Sequence, residues 1–311
     1  MNTSAAGEVS SNTFDRKGMA ELRNAQYARL VFTTVTVVER RRINPHRAVL
    51  ACAIALAVAL GYALSTFALT VNRVTVTSDK LSNEVRIVQL TDLHGMVFGF
   101  GNRWLVRLVE SQAPDFIAVT GDMFSRDDAN AKAVALSLIG RLCRLCPVLV
   151  VNGEHDGKKA YANAFSGESN AHFLADDDMI LRAGESELHI YGISNVYYSS
   201  TFSLSDKFSL DADRFSILLA HIPNQAAFAS FGVDLALCGD THGGLIRLPA
   251  VGAIYSGTEF FPELRGTPMK GMYEKNGSRM LISSGLGSYP ILARLFNAPE
   301  IAVITLKPER A

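Results

Sequence analysis

Apolar runs and amphipathic stretches alternate along most of this chain of 311 residues. After residue 73, short runs rich in Val, Ile and Leu predict strands, and stretches such as Asn102–Gln112 place apolar side chains on one helical face. Runs that are apolar at every position, such as Val148–Val151, are typical of strands buried on both faces. The pattern predicts an α/β fold, a four-layer sandwich of two mixed β-sheets flanked by helices and preceded by one transmembrane helix.

The uncharged segment 48–71 is rich in Ala, Leu and Val. As a helix of about 24 residues it would be about 36 Å long, enough to cross a hydrocarbon core of about 30 Å. Four arginines at positions 40–42 and 47 precede it, and only Arg73 follows closely. The positive-inside rule therefore predicts a single-pass membrane protein with a cytoplasmic N-terminus and an extracytoplasmic remainder.

This segment divides the chain into a polar and basic tail (1–47), the transmembrane helix (48–71) and one domain (72–311). Two other interpretations of the segment stay open. The arginines at 40–42 are compatible with a twin-arginine export signal, and small residues around Ala63 and Ser65 are compatible with cleavage. The uncleaved anchor accounts best for the length of the apolar run.

Charge and composition limit the classes of partner that this protein could bind. Formal net charge is zero, and no basic, aromatic-lined strand would follow a nucleic-acid backbone, so we predict no nucleic-acid partner. The sequence carries no signal for an oligomeric state.

Cys143 and Cys146 form a C-x-x-C pair, which suits a redox pair or half of a zinc site. Their place at the end of an amphipathic stretch favours buried thiols.

Five strand-like runs end in a segment that carries an acid or a histidine. These segments are Thr91–His94, Thr120–Asp122, Gly153–Asp156, Ala220–His221 and Gly239–Gly244. Each one alone is weak evidence, because Gly-Asp is a common turn and Asp-x-His is frequent. Together they predict carboxylates and imidazoles converging at the ends of strands, which is the ligand set that a pair of divalent metals needs.

The order and spacing of these segments resemble the calcineurin-like metallophosphoesterase family over residues 71–306. The later segments Leu281–Ser288 and Arg294–Ile301 resemble the closing part of a membrane-associated bacterial subgroup. That subgroup is similar to UDP-2,3-diacylglucosamine pyrophosphatase-like enzymes and to export-signal phosphodiesterases. The resemblance implies a metal-dependent phosphoric ester hydrolase with a phosphoester or pyrophosphate substrate that is lipid-linked.

The resemblance also implies two divalent ions about 3.5 Å apart and a metal-bridging hydroxide that attacks the phosphorus in line. The residues that match the metal ligands of the family by position are Asp92, His94 and His242 for the first ion, Asp122 for both, and Glu154, His221 and Asp240 for the second. His155 would be the catalytic residue, protonating the leaving oxygen or stabilising charge in the transition state.

Two positions depart from the family pattern. Glu154 occupies the Asn position of the usual Gly-Asn-His motif. Asp240 occupies the first His position of the usual Gly-His-x-His motif. Both changes put a carboxylate in place of a neutral donor at the second ion, which favours Mn²⁺ while leaving Fe, Zn²⁺ and Mg²⁺ compatible. The same changes leave an alternative open, a catalytically degenerate module that binds metal and phosphate without turnover.

The apolar loop Met96–Gly101 follows the first predicted ligands, and Phe260 and Phe261 follow the last. These side chains would form an apolar rim for an acyl chain or for the bilayer surface. Ordinary packing of loops explains them equally well, and the sequence alone leaves both interpretations open.

Overall fold

A computed structural model describes residues 45–125, 127–165, 170–194, 202–289 and 293–309, so the predicted tail lies outside the described residues except at 45–47. The helices are α1 (Pro45–Phe67), α2 (Arg103–Glu110), α3 (Ala129–Leu142), α4 (Lys158–Phe165) and α5 (Gln225–Phe231). The strands are β1 (Thr70–Ser78), β2 (Val85–Leu90), β3 (Phe116–Thr120), β4 (Val148–Val151), β5 (Ala171–Phe173), β6 (Asp177–Ala183), β7 (Ser186–Gly192), β8 (Phe215–Leu219), β9 (Leu235–Cys238), β10 (Arg247–Leu248), β11 (Gly252–Ala253), β12 (Gly271–Lys275), β13 (Ser278–Ile282) and β14 (Glu300–Pro308).

Twelve of these strands form two six-stranded mixed sheets, and β10 and β11 form a separate two-stranded sheet. The first has the order β1-β14-β2-β3-β4-β5, and the second has the order β12-β13-β9-β8-β7-β6. In the first sheet β2, β3 and β4 are parallel neighbours, while β14 is antiparallel to β2 and parallel to β1. In the second sheet β7, β8, β9 and β13 run parallel, with β6 and β12 antiparallel at the edges.

Three apolar cores define the layers. The central core packs side chains such as Ile87 and Phe116 of the first sheet against Ile217 and Leu237 of the second. A second core covers the other face of the first sheet with α2, α3 and α4, and a third covers the other face of the second sheet with α5. The arrangement is helix, sheet, sheet, helix, and it confirms the predicted α/β sandwich. Every position of β3 and β4 is buried, and every residue except Thr120 is apolar, because both faces of these strands are covered.

The long apolar helix begins at Pro45 and ends at Phe67, earlier than the predicted end at residue 71. The difference has a physical reason. Thr70 and Val71 are β-branched and pair with Glu300 and Ile301, which fixes them in β1. The helix is long and apolar enough to cross a membrane, and its most apolar stretch of 18 residues is not buried. The chain divides into two compact units, Met1–Leu56 and Ala57–Ala311, and both sheets lie in the second.

Two smaller predictions can be compared with the structure. Phe98, predicted as part of an apolar rim, is buried in the core beside α2, so only part of that loop faces solvent. Its backbone N–H donates to the side chain of the buried Asn102 at 2.8 Å, which holds the loop inward. Cys143 and Cys146 are free thiols at the end of α3, with Cys143 buried.

Candidate metal centre

The predicted site residues lie in loops that leave the carboxyl ends of five strands. Asp92 and His94 follow β2, Asp122 follows β3, Glu154 and His155 follow β4, His221 follows β8, and Asp240 and His242 follow β9. Side-chain hydrogen bonds join the two sheets at this end, since Gln89 donates to the Cys238 carbonyl at 2.9 Å. The structure therefore brings all eight residues to one edge of the sandwich, where α/β folds bind ligands.

Five of these residues have left-handed backbone conformations. The φ angles are 53° at Asp92, 46° at His94, 54° at Asp122, 72° at Asp240 and 50° at His242. Such conformations cost roughly 1 kcal/mol or more for residues other than glycine, and they persist where the surrounding structure enforces them. Here all five lie in the turns that follow β2, β3 and β9.

One group of side chains contains Asp92, His94 and His242. The Nε2 atoms of the two histidines are 3.2 Å apart, and His242 Nε2 is 3.7 Å from Asp92 Oδ1. Their potential ligand atoms lie within 4.8 Å of one another. Burial lowers the pKa of His94 to about 4 and the pKa of His242 well below its ordinary value. Both imidazoles are therefore neutral at physiological pH, which is the form that binds a metal.

Asp122 lies at the centre of the whole cluster. Its Oδ2 atom is 3.3 Å from His221 Nε2, 3.8 Å from His94 Nε2 and 3.9 Å from His155 Nε2. Its Oδ1 atom accepts a hydrogen bond of 2.9 Å from the His155 backbone N–H. One carboxylate oxygen is thus held by the backbone, and the other faces three imidazole nitrogens from three different loops.

The remaining predicted ligands surround His221. Asp240 Oδ1 lies 3.9 Å from His221 Nε2, and the Asp240 backbone N–H donates to Asp92 Oδ1 at 3.2 Å. Glu154 Oε1 lies 3.5 Å from His155 Nε2. Glu154 belongs to a tight group with Asp122 and His155, whereas Asp240 belongs to none of the three tight groups found among the described residues.

The donor set fits divalent metal ions. Two buried atoms, Asp92 Oδ2 and His221 Nε2, have no hydrogen-bond partner among the described residues. The Nδ1 atom of His221 is 2.8 Å from the Thr120 carbonyl oxygen, so the N–H at Nδ1 donates to it, and Nε2 would face the cluster with a lone pair once it has lost its proton. Leaving such atoms buried without a partner costs free energy, which coordination of a cation would offset.

Comparisons with known proteins, like the geometry, indicate a metal site. Residues 85–244 match the model of the family described as calcineurin-like phosphoesterase. A Bacillus subtilis (strain 168) protein named "Uncharacterized metallophosphoesterase YkuE" is 31% identical over 239 residues, which is 71% of this chain and 79% of that protein. The chain belongs to the calcineurin-like phosphoesterase family. It is accordingly a metal-dependent phosphoesterase.

Two further relatives extend the comparison. An uncharacterized metallophosphoesterase of Aquifex aeolicus (strain VF5) is 28% identical over 262 residues, covering 78% of this chain and 94% of that protein. One from Helicobacter pylori (strain J99 / ATCC 700824) is 29% identical over 253 residues, covering 74% of this chain and 62% of that protein. Family membership therefore supports divalent metal ions as cofactors and a phosphoester as substrate.

The acids of this phosphoesterase differ sharply in their affinity for protons. Burial, with the nearby charges of Asp122 and Asp240, raises the pKa of Asp92 to about 7. Burial also raises the pKa of Asp240 to about 6, with Glu154 and Asp122 adding to the effect. For Asp122 burial acts in the same direction, but His221 and His94 outweigh it and hold the pKa at about 2.

These shifts predict that metal binding releases protons near neutral pH. Asp92 and Asp240 must lose protons to coordinate, and so must His221, whose pKa is raised well above its usual value because Asp122 and Asp92 outweigh burial. We expect Mn²⁺ binding at pH 6 to release about two protons per chain, so that affinity falls as pH falls from 7 to 5. Calorimetry in two buffers with different ionisation enthalpies measures the number of protons released. Binding with no proton released at pH 6 would contradict this assignment.

Close backbone packing supports the central aspartates. A Cβ atom added to Gly153 would lie 2.1 Å from Asp122 Oδ1, and one added to Gly285 would lie 2.6 Å from the Asp92 Cβ. Only glycine leaves room for both carboxylates.

Asp156, which the sequence analysis did not single out, is buried and accepts hydrogen bonds from the backbone N–H groups of Phe124 and Gly153. It ties the loop of β4 to the loop of β3.

Tyr289 is a second residue that the sequence analysis missed. Its ring stacks on His94, with centroids 4.9 Å apart and planes at 13°, and it contacts the His155 ring at 4.6 Å. Tyr289 is partly exposed, so it forms the solvent side of the site. The signal available in the sequence was an aromatic residue directly after the glycine-rich stretch 285–288.

We expect Tyr289→Ala to lower kcat/KM about fivefold, because a lost aromatic contact of about 1 kcal/mol frees both imidazoles to rotate. Tyr289→Phe keeps the ring and should stay within about twofold of the native value. Kinetics on a soluble chromogenic phosphodiester separate KM from kcat, and the melting temperature reports folding. An alanine variant with native kcat/KM would exclude a positioning role.

Arg294 explains how the segment that carries Tyr289 is held. It is the largest fully buried side chain among the described residues, and its guanidinium donates to the carbonyl oxygens of Ser284, Gly287 and Asn297. The backbone N–H of Gly287 donates in turn to the Asp92 carbonyl at 2.6 Å. The segments Leu281–Ser288 and Arg294–Ile301 therefore support the loop that carries Asp92 and His94.

Proposed function

We propose that this chain is a membrane-anchored phosphoesterase that uses two divalent metal ions to hydrolyse a phosphoester or pyrophosphate bond in a lipid-linked substrate. The observation that carries the proposal is the single Asp122 oxygen that faces imidazoles from three loops at 3.3–3.9 Å. A shared carboxylate oxygen of this kind suits a two-metal site. The proposal rests also on membership of a family whose members are phosphoesterases.

In this proposal Asp92, His94 and His242 hold one ion, with Asp122 shared. The other ion takes Asp122, His221, Glu154 and Asp240. When bound, the two ions supply Lewis-acid stabilisation of phosphoryl charge and an acidified water as nucleophile. The carboxylates of Glu154 and Asp240 favour a hard ion, so we propose Mn²⁺ as the cofactor.

His155 is the proposed general acid. Its side chain is 30% exposed, whereas the side chains of Asp122 and His94 are 4% exposed, so it is the imidazole best placed to meet a substrate. Glu154 Oε1 lies 3.5 Å from His155 Nε2, and Tyr289 limits rotation of the ring. The proton at Nε2 passes to the leaving oxygen as the bond to phosphorus breaks.

The proposal of a lipid-linked substrate rests on where the apolar helix ends. Phe67, the last residue of α1, lines one cavity of about 280 Å³ together with His94, Met96 and Val97. A substrate whose phosphate reaches the metals would have its apolar portion next to the point where the helix leaves a bilayer. The excess of arginine before the helix favours a cytoplasmic N-terminus and an extracytoplasmic domain.

The test combines metal analysis with a substrate panel. The full chain, purified in mild detergent and loaded with Mn²⁺, is expected to bind two ions and to cleave a chromogenic phosphodiester. It should cleave a polyprenyl pyrophosphate or a phospholipid in mixed micelles with a higher kcat/KM. Equal rates on the soluble and the lipid-linked esters would contradict the substrate class.

One observation favours a second candidate, a module that binds metal and phosphate without turnover. Asp240 lies outside the three tight ligand groups found among the described residues. This candidate predicts one ion per chain and no hydrolysis with Mn²⁺, Mg²⁺, Zn²⁺ or Fe²⁺. Two ions with turnover would exclude it.

A further inference from the structure

Exposed apolar side chains concentrate around the metal centre. Outside α1, fourteen large apolar side chains of the described residues are exposed, and twelve of them come from three segments, 97–104, 246–264 and 289–296. The twelve, named here the apolar rim, are Val97, Phe100, Trp104, Ile246, Leu248, Tyr255, Phe260, Phe261, Leu264, Tyr289, Leu295 and Phe296. The first two segments follow loops of the metal centre, and the third contacts His94. An apolar surface of this kind marks a site of interaction.

Contacts connect the second and third segments of the apolar rim. Leu248, Leu264 and Phe296 line one cleft of about 580 Å³. Ile246 forms a β-bridge with Leu295, which joins the two segments through their backbones. Five residues of the rim, from its second and third segments, are therefore neighbours on one surface.

The end of α1 joins that surface to the first segment. Thr66 Oγ1 accepts a hydrogen bond of 3.3 Å from the backbone N–H of Arg294, directly before Leu295 and Phe296. Its neighbour Phe67 lines the cavity that also contains Val97. The last turn of α1 thus lies between the two sides of the rim.

We propose that the apolar rim lies in the interfacial region of the bilayer, so that the metal centre opens onto the membrane surface. This inference rests on the anchoring in the proposed function. Only two residues separate Phe67 from β1, a span of at most about 10 Å, so the rim cannot move far from the point where α1 leaves the bilayer. The rim combines aromatic and aliphatic side chains with the exposed guanidinium groups of Arg103 and Arg265, a composition typical of interfacial surfaces.

The chain contains its own reporter for this contact. Trp104 is the single tryptophan of the sequence and is 64% exposed within the rim. The full chain is reconstituted in nanodiscs of phospholipid, with or without bromine on the acyl chains. We expect bromine to quench Trp104 emission about twofold or more, and emission in plain nanodiscs to lie to the blue of a water-exposed tryptophan.

A matched control moves the reporter to the far edge of the second sheet. Ile180 in β6 is exposed and lies outside the rim, so Trp104→Phe with Ile180→Trp gives one tryptophan away from the proposed contact. This variant should show no bromine quenching. Phe260→Asp with Leu264→Asp should reduce the quenching of Trp104 while leaving hydrolysis of a soluble diester unchanged.

The outcomes separate this inference from the proposed function. Unquenched Trp104 with normal hydrolysis of the soluble diester would overturn the bilayer contact and leave the enzyme assignment standing. Equal quenching at positions 104 and 180 would overturn it as well, because the contact would then not be confined to the rim. A blue shift without bromine quenching would identify a second copy of the chain on the rim and overturn the lipid assignment. Quenched Trp104 without any hydrolysis would support the surface and contradict the enzyme.

Discussion

Asp122→Asn is expected to lower kcat for phosphoester hydrolysis by about a thousandfold or more, because a shared ligand contributes several kcal/mol to stabilising the charge that develops at phosphorus. The variant keeps the shape of the side chain but removes the negative charge that Oδ2 presents to His94, His155 and His221. It should also bind fewer than two ions per chain. Rates on a soluble phosphodiester and metal content after gel filtration measure both effects.

The control for Asp122→Asn is Asp177→Asn. Asp177 is exposed at the start of β6 and lies outside the metal centre, so its loss of charge should leave rate and metal content at native levels. A folded Asp122→Asn protein that retains two ions and native kcat would show that no oxygen of this residue is shared between metals. The proposed mechanism would then be wrong at its centre.

Glu154→Asn combined with Asp240→His is expected to shift the metal preference from Mn²⁺ toward Zn²⁺ by about tenfold or more. The substitutions return the second ion to neutral donors, reducing the carboxylates proposed at the centre from four to two. The release of protons on binding at pH 6 should also fall, because Asp240, with its pKa raised to about 6, no longer contributes. Competition titrations with the two ions measure the preference.

Each single variant serves as a control for the double variant, and Glu185→Gln, an exposed residue in the turn before β7, controls for a general change of charge. An unchanged preference, together with unchanged proton release, would mean that neither carboxylate contacts an ion. A double variant that gains turnover from an inactive native chain would instead favour the degenerate module for the native protein.

Much of the fold could be predicted from the sequence because its signals are local. Runs such as Val148–Val151 are apolar at every position, which is typical of strands buried on both faces. The acids and histidines after these runs fall together because parallel strands end at the same edge of a sheet. The positions of Asp92, Asp122 and His242 therefore follow from strand patterns alone, although their roles as ligands stay predictions.

The residues missed by the sequence analysis act through contacts distant in sequence. Tyr289 meets His94 and Arg294 supports the loop of Asp92, and neither contact leaves a periodic signal. Asp156 was grouped with its neighbours, but its role depends on the backbone of Phe124, in the loop of another strand. The position of β14 between β1 and β2 is equally invisible to local patterns.

That position of β14 sets the order in which the enzyme can be assembled. Glu300 of β14 pairs with Thr70 of β1, and Ala302 of β14 pairs with Gln89 of β2. The ribosome must therefore translate β14 before the first sheet can close. Until then β2, the strand that leads into the Asp92 turn, lacks one of its two neighbouring strands. We therefore expect the candidate metal centre to be completed only after β14 has been translated.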